Sequence, residues 1–291
     1  MYPDQFDYHR ADSVGEALDL LEDHPDAELI SGGHSLLPMM KSGLASPDVL
    51  VDIGSIDALT GIEANGDATH VGANVTYAAV DDSEHLWDRA TQFAEAAHHV
   101  GDIQVRNRGT IGGNVAHADP AGDPPAAVLA SNATIHATGP NGDRAIDADD
   151  YFQGMYMTAL AEDEILTGVE VPHLREGDAG AYVKKPSPSS GYAMVGVAVR
   201  LRTDGDRIED ARVACNGALD HATRLRPVED HLEDDALDDE ALAGDAAAHA
   251  TDDVEDFELM DDLQASGEFR AQLLTVYTER AIETAIDRVS S

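Results

Sequence analysis

The sequence predicts an α+β fold in two domains, and three observations support that prediction. The chain has 291 residues, more than the ~100–200 residues of a typical single domain. Helical and extended patterns alternate as far as Pro172, whereas three extended segments follow one another beyond it, as in an antiparallel meander. We therefore expect the domain boundary near residues 172–180.

The first domain is expected to begin with a helix and two buried strands. Ser13 can cap a helix that runs to Glu22, because Glu16 stands three residues after it and apolar residues follow at helical spacing. Short apolar runs at 27–30 and 49–53 predict the two strands.

Two hairpins and two further helices complete the predicted first domain. The Asn-Gly pairs at 65–66 and 141–142 each lie between extended segments, which predicts a hairpin at each place. One continuous helix is expected over 84–100, with Ser83 as its cap, and another helix is expected to start at the Pro-Pro pair 124–125.

The second domain is expected to hold a three-stranded antiparallel sheet and helices. Residues 181–185, 193–201 and 207–215 have strand patterns, and residues 269–289 have apolar side chains on one helical face. A carboxylate-rich run at 229–262 contains no Lys or Arg, and we expect it to be a solvated face or loop.

The charge of the chain is its most unusual property. Asp and Glu number 57 against 18 Lys and Arg, which gives a formal net charge of −39. A field of this sign repels nucleic acids and anionic lipids, so neither is an expected partner. The carboxylates are dispersed from Asp4 to Asp287 instead of forming one acidic tail. This distribution indicates an extreme halophile, in which molar salt screens the repulsion.

Cysteine content and hydropathy exclude several other classes of protein. The single cysteine, Cys215, excludes an internal disulfide, and it excludes a thiolate zinc site or an iron–sulfur cluster held by this chain alone. No apolar run approaches the ~18–20 residues of a membrane span, and the N-terminal residues lack the pattern of an export signal. We therefore expect a cytoplasmic protein without membrane insertion.

The first candidate site is the segment Ser31-Gly32-Gly33-His34-Ser35, which directly follows a predicted strand. Glycines let a backbone turn tightly and bring several N–H groups to one phosphate. The segment has no Lys or Arg, so amide dipoles would have to neutralise the anion. Taken alone, the segment fits a plain tight turn better than an anion site.

The second candidate is the stretch 106–114, which has three glycines, a hydroxyl and two amide side chains. Thr110 and Asn114 can hydrogen-bond a phosphate or a ring edge, and the backbone amides of Gly112 and Gly113 can line an anion. A loop that crosses between layers is the alternative. The two glycine segments together favour one ligand with two phosphates, held between them.

The third candidate is the stretch 116–125, which contains His117, Asp119 and Asp123. These residues are possible metal ligands, but the prolines among them suit a shaped loop better than a metal cage, and we predict no metal site. A carboxylate at a helix start is an ordinary cap, and the functional alternative is an acidic residue that binds a ribose hydroxyl. No nucleophile-elbow or Ser-His-Asp pattern is present, so we assign no catalytic residue.

The fourth candidate is the segment from Tyr182 to Tyr192. Lys184 and Lys185 are two of only three lysines in the chain, and they can offset the charge of an anionic cofactor. Tyr192 can stack on a planar ring. The alternative is a strand with ordinary surface charges and a core tyrosine.

Together these segments resemble the FAD-binding medium subunit of the molybdenum hydroxylases. That family includes the flavoprotein subunits of aerobic carbon monoxide dehydrogenase and of xanthine or aldehyde dehydrogenases. The matching stretches are SGGHSLLPMMKSG at 31–43, VGANVTYAAV at 71–80, QVRNRGTIGGNVAHADPAGDPPAAVLA at 104–130 and, more loosely, YVKKPSPSSGYA at 182–193. The order and spacing of the segments fit the family over nearly the whole chain.

The resemblance implies a two-subdomain FAD-binding domain of the vanillyl-alcohol-oxidase or PCMH type, followed by a smaller α+β domain. The expected boundaries are 1–57 and 58–175 for the two FAD-binding subdomains and 176–291 for the C-terminal domain. It also implies that FAD is the cofactor of this chain.

The resemblance further assigns roles to individual residues of this sequence. The pyrophosphate loop of the family corresponds to Ser31, Gly32, Gly33, His34 and Ser35, and its second FAD loop corresponds to Thr110, Ile111, Gly112, Gly113 and Asn114. The remaining assignments are Asp123 with Asp119 near the adenosine, Leu160 near the adenine, the family's lysine at Lys184 and the tyrosine at the flavin face at Tyr192. Family members often have Arg near position 187 and Asp at 191, whereas this chain has Ser187 and Gly191, so the resemblance does not extend to contacts that rely on those two charges, such as gating of the flavin face.

The implied function is electron transfer within a complex. In the family, a molybdenum cofactor on a large subunit oxidises a carbon monoxide, purine or aldehyde type of substrate. Two [2Fe–2S] clusters on a small subunit carry the electrons to FAD, and the flavin passes them to a quinone or to NAD. The expected assembly is a dimer of heterotrimers. The alternatives are a stand-alone FAD oxidoreductase of the same fold and a non-catalytic scaffold subunit.

Overall fold

The computed structural model of the protein describes residues 2–289, and the strands within them form three larger sheets and one two-stranded ribbon. Each larger sheet occupies its own part of the chain, at 7–52, 62–172 and 179–224. The chain therefore forms three successive units, each built on one sheet.

The first unit is a parallel sheet in the order β1-β3-β2, with two helices. Its elements are β1 (Asp7–Arg10), α1 (Val14–Asp23), β2 (Glu28–Ile30), α2 (Leu36–Ser42) and β3 (Val49–Asp52). The predicted cap of α1 is confirmed, because the Ser13 hydroxyl accepts a hydrogen bond from the Glu16 amide at 3.1 Å. Since β2 and β3 are parallel, their carboxyl ends lie at one edge of the sheet, and the glycine-containing turn at 31–35 starts there.

The second unit is a five-stranded antiparallel sheet in the order β4-β5-β10-β6-β7, with helices on its buried face. Its elements are β4 (Ile62–Asn65), β5 (Ala68–Gly72), α3 (Tyr77–Asp81), α4 (Glu84–Arg89), α5 (Thr91–His98), α6 (Ile103–Arg106), α7 (Ile111–His117), α8 (Pro124–Ala130), β6 (Thr134–Gly139), β7 (Gly142–Asp147), α9 (Ala148–Tyr151), β8 (Phe152–Gly154), β9 (Met157–Thr158) and β10 (Ile165–Pro172). Strands β8 and β9 form the two-stranded ribbon. Both predicted hairpins are confirmed, as β4–β5 and β6–β7.

The predicted continuous helix over 84–100 is wrong, because the chain leaves the helical conformation at Ala90. This residue has φ −152° and ψ 54°, and it separates α4 from α5. The Arg89 carbonyl instead accepts a hydrogen bond from the amide of Leu174 at 2.7 Å. A contact with a distant part of the chain therefore overrides the local helical preference.

The third unit is a four-stranded antiparallel sheet, with its own helices on one face and α5 and α8 of the second unit on the other. Its elements are β11 (Ala179–Pro186), β12 (Ala193–Asp204), β13 (Arg207–Asn216), β14 (Thr223–Arg224), α10 (Arg226–Leu232), α11 (Leu242–Ala247) and α12 (Gly267–Val289). The predicted three-stranded sheet is corrected to four strands, because the two residues of β14 pair with β13. A two-residue strand is too short to produce an alternating pattern. Within the described chain, no helix has the combined length and apolar character that crossing a membrane requires.

The second and third units meet through ion pairs as well as apolar contacts. Three carboxylates of the second unit each bind a cation of the third unit. The pairs are Glu95–Arg288 at 2.5 Å, Asp123–Lys184 at 2.8 Å and Asp149–Arg224 at 2.8 Å. Salt screens a buried pair such as Asp123–Lys184 much less than it screens exposed charges, so we expect this interface to persist in concentrated salt.

The net charge of −39 predicts that the folded chain needs salt. At ~10 mM salt the Debye length is ~30 Å, so carboxylates repel one another across the molecule, whereas at ~1 M it is ~3 Å. We expect the melting temperature, followed by circular dichroism, to fall steeply as sodium chloride is lowered over this range. Sucrose at equal osmolality is the control, and because it screens no charge it should raise the melting temperature less than the salt does. A melting temperature that does not change with salt would contradict the expectation.

Candidate functional site

A cavity of about 300 Å³ opens between the first and second units, and both predicted glycine segments lie on its wall. We call residues 31–35 the first glycine segment and residues 110–114 the second glycine segment. The predicted site residues that line this cavity are Ser31, Gly32, Gly33, His34, Ser35, Thr110, Gly112, Gly113, Asn114 and Leu160. Residues that are distant in the sequence therefore share one site.

Glycines bring the backbones around the cavity unusually close together. A Cβ atom on Gly32 would lie 2.2 Å from the carbonyl oxygen of Arg108 and 2.9 Å from the Cα of Gly109. A Cβ atom on Gly112 would lie 2.5 Å from the Cβ of Ala73. Backbone atoms cannot move aside as a flexible side chain does, so position 32 has room for glycine alone.

The residues of the first glycine segment line the cavity, and their backbone amides are unpaired. The N–H groups of residues 31–35 donate no hydrogen bond to any other atom of residues 2–289. Gly33 has φ +73°, a left-handed conformation that turns the chain from β2 into α2. Several unpaired N–H groups on one tight turn form a favourable site for an anion.

The second glycine segment does not offer its amides in the same way. The Gly112 amide donates to the carbonyl of Ala73 at 2.9 Å, and the Gly113 amide donates to the Thr110 hydroxyl at 3.2 Å. The expectation that these two amides line an anion is therefore wrong, because Thr110 caps α7 here and the amides are used within the protein. Ile111 is fully buried and does not line the cavity.

The second glycine segment instead contributes polar side chains. The Asn114 Oδ1 atom is buried and has no hydrogen-bond partner within residues 2–289, and Asn114 lies on the cavity wall beside Tyr77. Burial raises the pKa of Tyr77 well above its usual value, so its hydroxyl stays protonated. A buried acceptor without a donor is rare in folded proteins, and it suits a ligand that supplies a hydroxyl or amine.

The charged side chains on the cavity wall are carboxylates. Of the described residues that line it, Glu28 and Glu164 are acidic, and none is Lys or Arg. The Arg144 guanidinium binds Glu164 at 2.6 and 2.7 Å and holds the pKa of that carboxyl below its usual value. Burial lowers the pKa of His117 and so favours its neutral imidazole. An anion in this cavity would therefore be bound by amides instead of cationic side chains.

Asp123 and Lys184 form a buried pair that does not line the cavity. Asp123 accepts hydrogen bonds from the Lys184 ammonium at 2.8 Å and from the Tyr182 hydroxyl at 2.6 Å, while Lys184 also donates to the His99 carbonyl at 2.7 Å. Burial raises the pKa of Asp123 from 3.8 to about 6, against the opposing effect of Lys184. Direct contacts of these two residues with a cofactor remain predictions.

Asp119 and Tyr192 do not line the cavity either. Asp119 accepts a hydrogen bond from the Ala121 amide at 2.9 Å. Burial and the charge of Asp119 raise the pKa values of Tyr192 and Tyr156. The Tyr156 ring packs against His117 with ring centroids 5.0 Å apart, so an aromatic side chain lies next to this residue of the cavity wall.

Ser187 and Gly191 shape the turn that carries Tyr192. The Ser187 amide donates to the Tyr192 carbonyl at 2.7 Å, and Gly191 has φ +77°. These residues act on Tyr192 through the backbone geometry of the turn.

Among the polar residues of the cavity wall that the sequence reasoning missed are Asn74 and Tyr77. Both follow β5 and lie in the stretch 71–80, which is one of the segments that carry the resemblance. That stretch contains no glycine pair or charge cluster that would single out either residue, so their polar character within it was the available signal.

Two family models match successive parts of the chain. Residues 4–174 match the family model for the FAD binding domain in molybdopterin dehydrogenase, and residues 180–285 match the family model for the CO dehydrogenase flavoprotein C-terminal domain.

Two curated relatives and one solved structure are similar over nearly the whole chain. The carbon monoxide dehydrogenase medium chain of Hydrogenophaga pseudoflava is 37% identical over 288 residues, which are 98% of both chains. The nicotine 6-hydroxylase medium subunit of Paenarthrobacter nicotinovorans is 37% identical over 274 residues, which are 94% of both chains. A structure of carbon monoxide dehydrogenase from Hydrogenophaga pseudoflava, which lacks the Mo-pyranopterin moiety of the molybdenum cofactor, matches with a TM-score of 0.94 over 99% of both chains.

Proposed function

The chain belongs to the family of FAD-binding medium subunits of the molybdenum hydroxylases, and on this premise we propose that it holds FAD in the cavity between its two glycine segments. It is an oxidoreductase subunit, and its role in the complex would be to receive electrons and pass them on. The free amides of residues 31–35 carry the assignment of the site.

The residues present fit the cofactor. A diphosphate is a compact dianion, and converging amide N–H groups can bind it without a cationic side chain. The absence of a Cβ at Gly32 lets the first glycine segment pack directly against the backbone of Arg108 and Gly109, which holds its amides at the cavity wall. The unpaired Asn114 Oδ1 atom can accept a hydrogen bond from a ribityl or ribose hydroxyl.

The chain contributes binding and orientation to the reaction. When bound, FAD supplies a redox centre that takes up and releases electrons. The amides of the first glycine segment would fix the diphosphate, and Leu160, whose amide is already bonded to the Thr158 hydroxyl at 3.2 Å, would offer its carbonyl to the adenine. No side chain needs to act as a general acid or base in this role.

The proposed partners follow from the names of the relatives, which are medium chains or subunits. We infer a large subunit with the molybdenum cofactor, a small subunit with [2Fe–2S] clusters, and a dimer of heterotrimers in the cytoplasm. The single cysteine of this chain is consistent with clusters that lie on another subunit. The substrate would be of the carbon monoxide, purine or aldehyde type, and the acceptor would be a quinone or NAD.

The test begins with the purified chain in molar salt. We expect about one FAD per chain after denaturation and extraction, and FMN should bind at least ~10-fold more weakly because it lacks the diphosphate bridge. A colourless chain that does not bind added FAD would contradict the proposal.

A second arm of the test separates the subunit role from the stand-alone alternative. The substrate should reduce the flavin only when the large and small subunits are present. Reduction by a small organic substrate in the isolated chain would favour the stand-alone oxidoreductase.

A further inference from the structure

We propose that Asn74 is a positioning residue for the dinucleotide, which holds the first glycine segment against the second and keeps the hydroxyl proton of Ser31 away from the ligand. The inference rests on the proposed function, because the site that Asn74 organises is the proposed FAD site. No part of the sequence pattern singled out this residue.

The side chain of Asn74 joins the edge of the first unit to the second unit. Its Nδ2 atom donates to the carbonyl of Ile53 at 2.7 Å, and its Oδ1 atom accepts from the Ser31 hydroxyl at 2.7 Å. The Ile53 amide in turn donates to the Ile30 carbonyl at 2.9 Å. Asn74 is 8% exposed and binds the ends of β2 and β3 at the point where the first glycine segment begins.

The two neighbours of Asn74 bind the second glycine segment. The Ala73 carbonyl accepts from the Gly112 amide, and the Val75 carbonyl accepts from the Ile111 amide, both at 2.9 Å. Residues 73–75 therefore link the two segments. The carbonyls of Ala73 and Val75 bind the second glycine segment, and the side chain of Asn74 binds the first. The separation of the two segments depends on this stretch.

The hydrogen-bond roles around Asn74 follow from the donors and acceptors available. The Ile53 carbonyl can only accept, so the Asn74 NH₂ group must face it and Oδ1 must face Ser31. The Ser31 hydroxyl has one proton, and it lies 2.7 Å from the Asn74 Oδ1 atom and 3.4 Å from the Thr110 hydroxyl oxygen, so the shorter hydrogen bond goes to Asn74. A diphosphate therefore meets the backbone amides of the first glycine segment and no donor from the Ser31 side chain.

Aspartate at position 74 would have the same size as asparagine, but when ionised it could not donate a hydrogen bond. An ionised carboxylate can only accept, so it would oppose the Ile53 carbonyl and place a negative charge on a cavity wall that has no Lys or Arg among its described residues. A protonated carboxyl can again donate to Ile53 and restores the neutral charge.

The test is FAD titration of the full-length chain in molar salt at two pH values. At about pH 8 we expect Asn74→Asp to bind FAD ~30-fold more weakly than the unchanged chain does. At about pH 5 the variant should regain most of this lost affinity, because burial beside a carbonyl favours the protonated acid. Asn74→Ala should lose affinity by a similar ratio at both pH values. Asn65→Asp adds the same charge on an exposed turn and should bind FAD as the unchanged chain does.

The outcomes distinguish this inference from the proposed function. If the unchanged chain does not bind FAD, the proposed function fails. If it binds FAD and Asn74→Asp binds equally well at about pH 8, or loses affinity by the same ratio at both pH values, the positioning role is overturned. If the aspartate variant does not fold, the alanine variant decides, and unchanged affinity in that variant overturns the inference.

Discussion

Replacing Gly32 with alanine is expected to remove most of the affinity of the chain for FAD. The added Cβ would lie 2.2 Å from the Arg108 carbonyl oxygen, so the first glycine segment must move away from the second. Its amides then no longer converge on one diphosphate. We expect at least ~100-fold weaker binding in a fluorescence titration, which corresponds to ~2.7 kcal/mol.

The matched control is Gly15→Ala in α1. Gly15 is exposed, and a Cβ atom added there would lie 4.0 Å from its nearest neighbour, the Ser13 hydroxyl oxygen. This variant should bind FAD normally and gain up to ~1 kcal/mol of stability, because alanine favours helix over glycine. Circular dichroism must show that Gly32→Ala remains folded. Affinity within about threefold of the unchanged chain would show that the close approach at Gly32 is not needed.

Replacing Lys184 with methionine is expected to destabilise the apoprotein by about 3–5 kcal/mol. The side chains of Lys184 and Asp123 are 3% and 4% exposed, so the substitution leaves a buried carboxylate without its cation. The carbonyl of His99 also loses a donor. Urea unfolding at constant high salt measures the loss.

The neighbouring lysine provides the control for this variant. Lys185 lies on the opposite face of β11 and forms no ion pair among the described residues, so Lys185→Met should change stability by less than ~0.5 kcal/mol. The double variant Asp123→Asn with Lys184→Met should recover much of the loss, because it removes the unpaired charge. Equal effects of the two single lysine substitutions would contradict a buried pair.

The loss of stability caused by Lys184→Met should depend on pH. The pKa of Asp123 is about 6 in the folded chain, against an ordinary aspartate value of 3.8, so the folded state binds more protons than the unfolded state between these values. This carboxyl therefore favours folding less as the pH rises through that range. Loss of the cation raises the pKa further, and the destabilisation should be smaller at about pH 5 than at about pH 8.

The sequence predicted the elements whose determinants are local. The cap at Ser13 and the two Asn-Gly hairpins depend on neighbouring residues, and the structure confirms them. The break at Ala90 and the strand β14 depend on Leu174 and on β13, which are distant along the chain. Local patterns carry no information about such partners.

The candidate site shows the same division between pattern and packing. The glycine pairs in the sequence indicated both segments of the cavity wall. They could not indicate that the Gly112 amide donates its hydrogen bond to the Ala73 carbonyl, because that bond depends on tertiary packing. Asp123 and Lys184 each received a cofactor role by resemblance, whereas the structure pairs them with each other. Residue type indicates which bonds a group can form, and tertiary structure decides which of them remain free for a ligand.

The most direct test of the account is a crystal structure of the chain with FAD bound. We predict that the diphosphate oxygens lie within hydrogen-bond distance of the amides of residues 31–35 and that no Lys or Arg nitrogen contacts them. A diphosphate held by the side chain of Arg108 or by any other cation, or a dinucleotide bound away from this cavity, would contradict the account.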